Sequence, residues 1–300
     1  MATSAAQSPL PCAASPAAMP SGEEHLGASA PHCAKFYAAR VAQPHAVIDA
    51  AAPRDHLYRL GAHGFIFTSA GFCSTHTQRH AATLLISATG RSFELRVGTR
   101  RIHAAAAFVP PLTARSLHAV DAALVSVNVT PLHDSFAHLA CIPAPSALDW
   151  GAFAPLQPSL QAAYEGRLEL RDAPALFAST LQCLWAHLPV PSPRITEHLL
   201  RARELVHTRG YASLREMACE MHLSEDQTSR VVARALGIPL KSYLAWDKML
   251  AACEWIWRHK PLTEVAHLAG YHDLAHLTRS FRRQFGAPPS YFRDRTRVYF

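Results

Sequence analysis

Near the end of the 300-residue chain, the stretch GYHDLAHLTRSFRRQFGAPPSYF (Gly270–Phe292) sets three arginines among evenly spaced apolar residues. On a helix, Leu274, Leu277, Phe281 and Phe285 fall on one side, and His276 and Arg279 on the other. Such a helix can bury its apolar side and offer a guanidinium to another molecule. The planar fork of an arginine suits phosphate oxygens and the O6/N7 edge of guanine. Other chemistry is thinner. The seven cysteines (Cys12, Cys33, Cys73, Cys141, Cys183, Cys219 and Cys253) contain no C-x-x-C pair, so reduced thiols fit better than a disulfide framework or a structural zinc site. The 19 histidines are dispersed, which argues against a clustered pH sensor.

The charge is uneven. From Arg194 onward there are 17 Lys/Arg against 11 Asp/Glu, a net +6, whereas residues 1–193 hold 12 against 11, a net +1. A basic half joined to a near-neutral one points to a polyanionic partner for the second half. Hydrophobic content of 49% supplies packed cores. No apolar run approaches the roughly 18 residues of a membrane span. Residues 1–32 have neither the basic nor the apolar region of a secretory signal, and their Ala/Pro/Ser/Gly content reads as a disordered leader. A cytoplasmic protein is the expectation.

Between about Lys35 and Pro131 the pattern is of strands. In SFELRV, Phe93, Leu95 and Val97 alternate with Glu94 and Arg96, and ALVSVNVTP alternates until Pro131. Several short strands predict a small sandwich or barrel. Leu156–Gly166 and Asp172–Leu188 read as helices. In the second, Asp172 stands at the N-cap, and Leu176, Phe177, Thr180, Leu181 and Leu184 form one stripe that can close the barrel or pair with a second subunit. LPVPSPR (Leu188–Arg194) is a proline-punctuated linker. Beyond it Ile195, Leu199, Ala202 and Val206 have helical spacing, with Gly210 at the C′ position.

Then comes SLREMACEMHLSEDQTSRVVARALGIP. Ser213-x-x-Glu216 and Ser224-x-x-Gln227 are two capping-box patterns so close that they enclose a short helix and a tight turn. The second helix should run from Glu225 to Leu236 and stop at Gly237, with Ala218 allowing close approach and Leu214, Met217, Leu223 and Val231 filling the angle. About 49 residues on, Asp273 stands for Ser224, Ala266 for Ala218 and Gly286 for Gly237. A helix over about Leu240–His259 joins these two helix-turn-helix units, residues 213–237 and 262–286.

With these motifs the last hundred or so residues resemble the DNA-binding domain of AraC/XylS-family transcription regulators. LTEVAHLAGYHDLAHLTRSFRRQFGAPPSYFR carries the more diagnostic match, through Gly270, Phe281, Phe285, Gly286, Pro289, Tyr291 and Arg293. The resemblance implies two recognition helices in successive major-groove segments, about 34 Å apart. It places Asp226, Ser229 and Arg230 of the first unit, and Ala275, His276 and Arg279 of the second, toward bases. It gives Arg282, Arg283 and Arg293 to phosphates, with Arg295 and Arg297 as further tail arginines. Some positions depart from the family pattern. Glu225 and Asp226 put carboxylates at the first recognition helix, Thr228 and Val232 are smaller than usual, and Trp246 and Asp247 replace a basic and an aliphatic residue.

The amino-terminal part resembles the cupin-like sensor domain of many such regulators, through the histidines of THTQRHAATLLIS, the Gly90 turn, FVPP (Phe108–Pro111) and His118. A cupin metal enzyme would want a His-x-His pair and a glutamate four or five residues on. Here His76-x-x-x-His80 is followed at those positions by Leu84 and Leu85, so neither metal nor catalysis is expected. His76, His80 and His118 are candidates to line an effector pocket.

The expected architecture is α+β with two domains. Residues 1–32 form the leader, 33–150 the cupin-like β-barrel or sandwich with short helices, 151–192 a helical dimerisation or linker segment, and 193–300 the all-α tandem helix-turn-helix domain. The expected function is promoter-DNA binding and transcription regulation, usually activation through RNA polymerase, by a non-enzymatic homodimer without cofactor that answers a small-molecule effector. The alternative is a cupin-type metal enzyme or small-molecule-binding protein whose helical domain is only an interaction module. The effector, operator, target genes and sign of regulation are not written in the sequence.

Overall fold

The structure, a computed structural model, describes residues 55–188, 196–209, 213–295 and 298–299. The expected leader, the linker from Pro189 onward, Ile195, Gly210 and Arg297 lie outside these residues.

The amino-terminal part is built on two long antiparallel strands, β2 (Gly64–Gln78) and β7 (Ala114–Val129), paired from Gly64↔Val129 to Gln78↔Ala114. Register shifts between Ser69 and Gly71 and between Ser74 and Thr77, with left-handed φ at Asp121 (58°) and Ala123 (45°), bend the pair. Bulges let a strand turn a corner and serve two sheets. The later half of β7 therefore pairs with β3 (Ala82–Ser87) and its earlier half with β4 (Phe93–Val97). β5 (Arg100–Ala104) extends β4, and β6 (Ala106–Val109) and β8 (Ser146–Leu148) extend β3. β1 (Asp55–Arg59) pairs with β2. The expected run of short strands is thus corrected in one respect: two of them are 15 and 16 residues long.

Alternation sorts the side chains. Phe72, Phe93, Leu95, Leu117 and Leu124 fill one core, while Ile66, Leu84, Ile86, Val125 and Val127 face the helices that cover the other side. Those helices are α1 (Phe136–Ala140), a 3-10 turn (Trp150–Leu156), α2 (Gln157–Tyr164) and α3 (Ala173–His187). The stripe Leu176, Phe177, Thr180, Leu181 and Leu184 is buried within this chain, with the Phe177 ring against Gly64. It closes one side of the amino-terminal sheet. Asp172 holds the N-cap position of α3 without a side-chain cap bond, the turn being started by Pro174.

The rest is helical: α4 (Glu197–Arg209), α5 (Leu214–Met221), α6 (Glu225–Leu236), α7 (Leu240–Trp257), α8 (Leu262–Leu268), α9 (Leu274–Phe285) and α10 (Pro289–Arg293). β9 (Val298–Tyr299) then returns to the sensor and pairs in parallel with β1. Leu199, Ala202 and Val206 of α4 are buried at their helical spacing. α7 ends two residues short of expectation because His259 takes a left-handed φ of 58°. None of the described helices is long and apolar enough to cross a membrane.

Candidate nucleic-acid interface

Each recognition helix is held by its ends. Ser224 Oγ accepts from Gln227 N at 3.3 Å while Gln227 Oε1 accepts from Ser224 N at 3.1 Å, a complete capping box opening α6. Asp273 Oδ1 accepts from His276 N at 2.6 Å and opens α9; that bond first, then His272, holds the Asp273 carboxyl below its ordinary range. Ser213 caps α5 through Glu216 N at 3.3 Å, one half of the expected box. α6 and α9 both stop at glycines in the left-handed region, Gly237 (φ 74°) and Gly286 (φ 79°). The repeat seen in the residues is therefore a repeat in structure, with Ala218 and Ala266 buried where the paired helices approach.

The buried sides differ. α9 packs on Leu277 and Phe281, with Leu274 and Phe285 half-buried; Gln284 is the third buried position, which the apolar pattern did not reveal. α6 packs on Thr228, Val232 and Leu236. Thr228 Oγ1 is buried with no hydrogen-bond partner, so the small residue noted there leaves a polar atom unsatisfied. Leu214, Leu223 and Val231 are half-buried around the fully buried Met217.

The outward sides carry the residues expected to meet DNA. Asp226, Ser229 and Arg230 are exposed on α6, and Ala275, His276 and Arg279 on α9. Arg282 and Arg293 are exposed as well. Arg283 is exposed but engaged: its Nε donates to Gln78 Oε1 of the sensor at 3.0 Å, as does its Nη2. Ser229 of one unit and His276 of the other border a single groove of about 1140 Å³ along α7. Lys241 and Lys248, seven residues apart on α7, line that groove and supply cations overlooked in the sequence; their helical spacing was the available signal. Gln78, His80 and Leu112 of the sensor form part of its wall.

Residues 217–295 match a family model described as a helix-turn-helix domain. This segment carries a helix-turn-helix domain. Among solved structures, the chain is similar to the C-terminal domain of AraT, a response regulator from Geobacillus stearothermophilus, at 25% identity over 36% of this chain and 91% of that one, TM-score 0.30. It is similar to ToxT from Vibrio cholerae at 11% identity over 80% of this chain and 96% of that one, TM-score 0.46. It is similar to the AraC-like transcriptional activator CuxR at 14% identity over 63% and 73% of the two chains, TM-score 0.32. No curated protein sequence matches it.

The helical part rests on the amino-terminal part at both units. Gly237 abuts Ala137 and Ala140 of α1, and Gly286 abuts Ser74 and Thr77 of β2. Arg203 bonds Asp134 at 2.6 Å, Arg59 bonds Glu254 at 2.6 Å and lies 3.7 Å over the Trp257 ring, and the Tyr291 hydroxyl donates to Asp55. Between β1–β2 and α7–α9 lies a cavity of about 400 Å³ walled by Phe65, Phe67, Trp246, Phe281, Phe285 and Phe292, with Arg59, Arg79, Asp247 and Glu254 among its polar residues. Trp246 and Asp247, the two departures in the connecting helix, both line it. Trp246 is buried and its Nε1 has no hydrogen-bond partner.

The three histidines expected around an effector are not brought together. His76 is exposed with φ 57°. His118 is exposed, its Nδ1 3.2 Å from Cys73 Sγ. His80 sits at the domain junction, where burial first and Arg283 second push its pKa down to about 4 against a partial rise from Gln284. Among the described residues no group of three or more His, Cys, Asp or Glu is placed to hold a metal.

Proposed function

We propose that the chain is a one-component, sequence-specific transcription regulator that reads promoter DNA with α6 and α9. The observation that carries this is the shared groove. One outward residue of each capped helix, Ser229 and His276, borders a single concavity lined by Lys241 and Lys248, which suits a domain laid along one face of duplex DNA. Arg279, Ser229 and Arg230 would reach base edges, with Arg282, Arg283, Arg293 and the two lysines on phosphates. Asp226 would accept from cytosine N4. Glu225 and Asp226 suit the positive end of α6 but repel phosphate, so the second unit would carry most of the specificity.

The signal enters, in this reading, through the cavity between the domains rather than through His76, His80 and His118. An apolar small molecule bearing a hydrogen-bond acceptor would satisfy Trp246 Nε1 and touch Phe65 and Phe67 of the sensor together with Phe281 and Phe285 of the reader. Contact with both sides gives such a ligand different affinities for different domain arrangements, which is what shifting an equilibrium demands. The protein would act in the cytoplasm, bound to the nucleoid, as an activator touching RNA polymerase. A homodimer would have to use a surface other than the buried stripe of α3.

The test is binding to duplexes enriched from a random pool by the wild-type chain. Affinity should fall steeply as salt rises, and Arg279→Ala should lose about 1–3 kcal/mol while relaxing one base position. An unchanged footprint and affinity in that variant would remove Arg279 from the interface, and salt-independent binding would sink the reading.

A further inference from the structure

The groove that would receive DNA is not wholly the reader's own. Its wall includes Gln78 and His80, at and just beyond the end of β2, and Leu112, in the turn between β6 and β7. The contact is built rather than grazing. Gln78 Nε2 donates to Leu112 O at 2.7 Å, and Leu112, held at a left-handed φ of 58°, donates its own N–H to Arg79 O at 2.7 Å. With its amide nitrogen so engaged, Gln78 turns Oε1 toward α9, where Arg283 gives it both Nε and Nη2. One residue along α9, the buried Gln284 accepts from His80 N at 3.0 Å, and its Nε2 meets the His80 ring. Ser74 and Thr77 close against Gly286 at the end of the same helix.

We propose that the end of β2 is an internal latch on the second recognition helix. Gln78 occupies Arg283 in the place of a DNA phosphate, and duplex DNA binds fully only after α9 parts from Gln78 and His80. This rests on the DNA-binding reading and adds to it a restraint by the chain's own sensor. An amide oxygen that takes Nε and Nη2 of one guanidinium occupies the same two donors that a bidentate phosphate would take. A neutral amide holds less strongly than a phosphate, so the latch delays and weakens binding without abolishing it. The apparent affinity falls by the fraction of molecules that are open.

The experiment uses the full chain, fluorescence anisotropy and labelled duplexes enriched by the wild-type protein. Gln78→Ala should bind about three- to tenfold more tightly than wild type. Gln284→Ala removes the other half of the latch from the reader's side and should move affinity the same way. It also serves if Gln78→Ala fails to fold by circular dichroism. Arg283→Ala loses latch and phosphate contact together and should bind more weakly than either. Unchanged or weaker binding by folded Gln78→Ala and Gln284→Ala overturns the latch, the weaker outcome meaning that β2 positions α9 for DNA. If no variant and no wild-type protein binds duplex DNA, the DNA-binding reading has failed and the latch falls with it, an outcome distinct from equal affinities.

Discussion

Gly237→Ala asks whether the first helix-turn-helix unit rests on the sensor as the structure has it. Gly237 has φ 74°, a region where a side chain costs about 1–2 kcal/mol. The added methyl would lie 2.8 Å from Ala140 Cβ and 3.0 Å from Ala137 Cα, atoms fixed on α1 that no rotamer can move aside. Overpacking of that kind costs about 1–3 kcal/mol, so the whole effect should be about 2–5 kcal/mol. Two other glycines separate the parts. Gly61 (φ 64°) and Gly98 (φ 56°) have nothing within 4 Å of an added Cβ, so alanine there carries the backbone cost alone. Urea unfolding followed by circular dichroism and tryptophan fluorescence should put Gly237→Ala below both controls by about 1–3 kcal/mol. Equal losses in all three would mean that the methyl meets nothing. The first unit would then not lean on α1 in solution, and the two-sided seating of the reader would be wrong.

Two further outcomes follow from buried polar groups. Thr228→Val removes a hydroxyl that has no partner and keeps the shape of the side chain, so the urea midpoint should rise by the equivalent of about 1 kcal/mol; a fall would show that Oγ1 is bonded after all. For His80 the pKa of about 4 in the closed arrangement lies below the usual 6.5, with Arg283, Gln284 and the Trp246 ring as its neighbours. A parted His80 binds more protons between those values, so the junction should be at full strength above about pH 6.5 and weaken as pH falls toward 4. Hydrogen exchange of α9 should quicken over that window in wild type and not in His80→Phe; a flat wild-type profile would contradict the buried, neutral imidazole.

The reader was legible in the sequence because its signals are local. Ser224, Gln227, Asp273, Gly237 and Gly286 act within one turn of a helix, and the bounds of α6 and α9 come out as those residues foretold. The sensor was less legible because its long strands do not alternate cleanly. Thr83, Arg115, Ser126 and Asn128 are buried polar residues, with Arg115 Nη2 bonded to Thr83 Oγ1 at 3.0 Å and Arg79 Nη1 to Asn128 Oδ1 at 2.6 Å. Such a polar interior interrupts the apolar rhythm by which strands are recognised. The junction was the least legible. Arg283 reads as a phosphate ligand from its place on α9, and nothing near it in sequence announces Gln78, 205 residues away. His76, His80 and His118 looked like a set because they precede and follow core strands, yet alternation and the turn after β2 send them to three different places.

The short pairing of β9 with β1 has a kinetic meaning. A reader joined to its sensor only by the chain entering α4 could, once released, drift through the volume which that connection sweeps. Val298 and Tyr299, hydrogen-bonded beside Asp55 and His56, fasten the reader at its other end as well. Loop closure then costs little and local concentration stays high, so α9 can lift from β2 and reseat many times while the molecule as a whole stays folded. Release from the proposed latch would then be a local parting of one helix instead of a separation of domains.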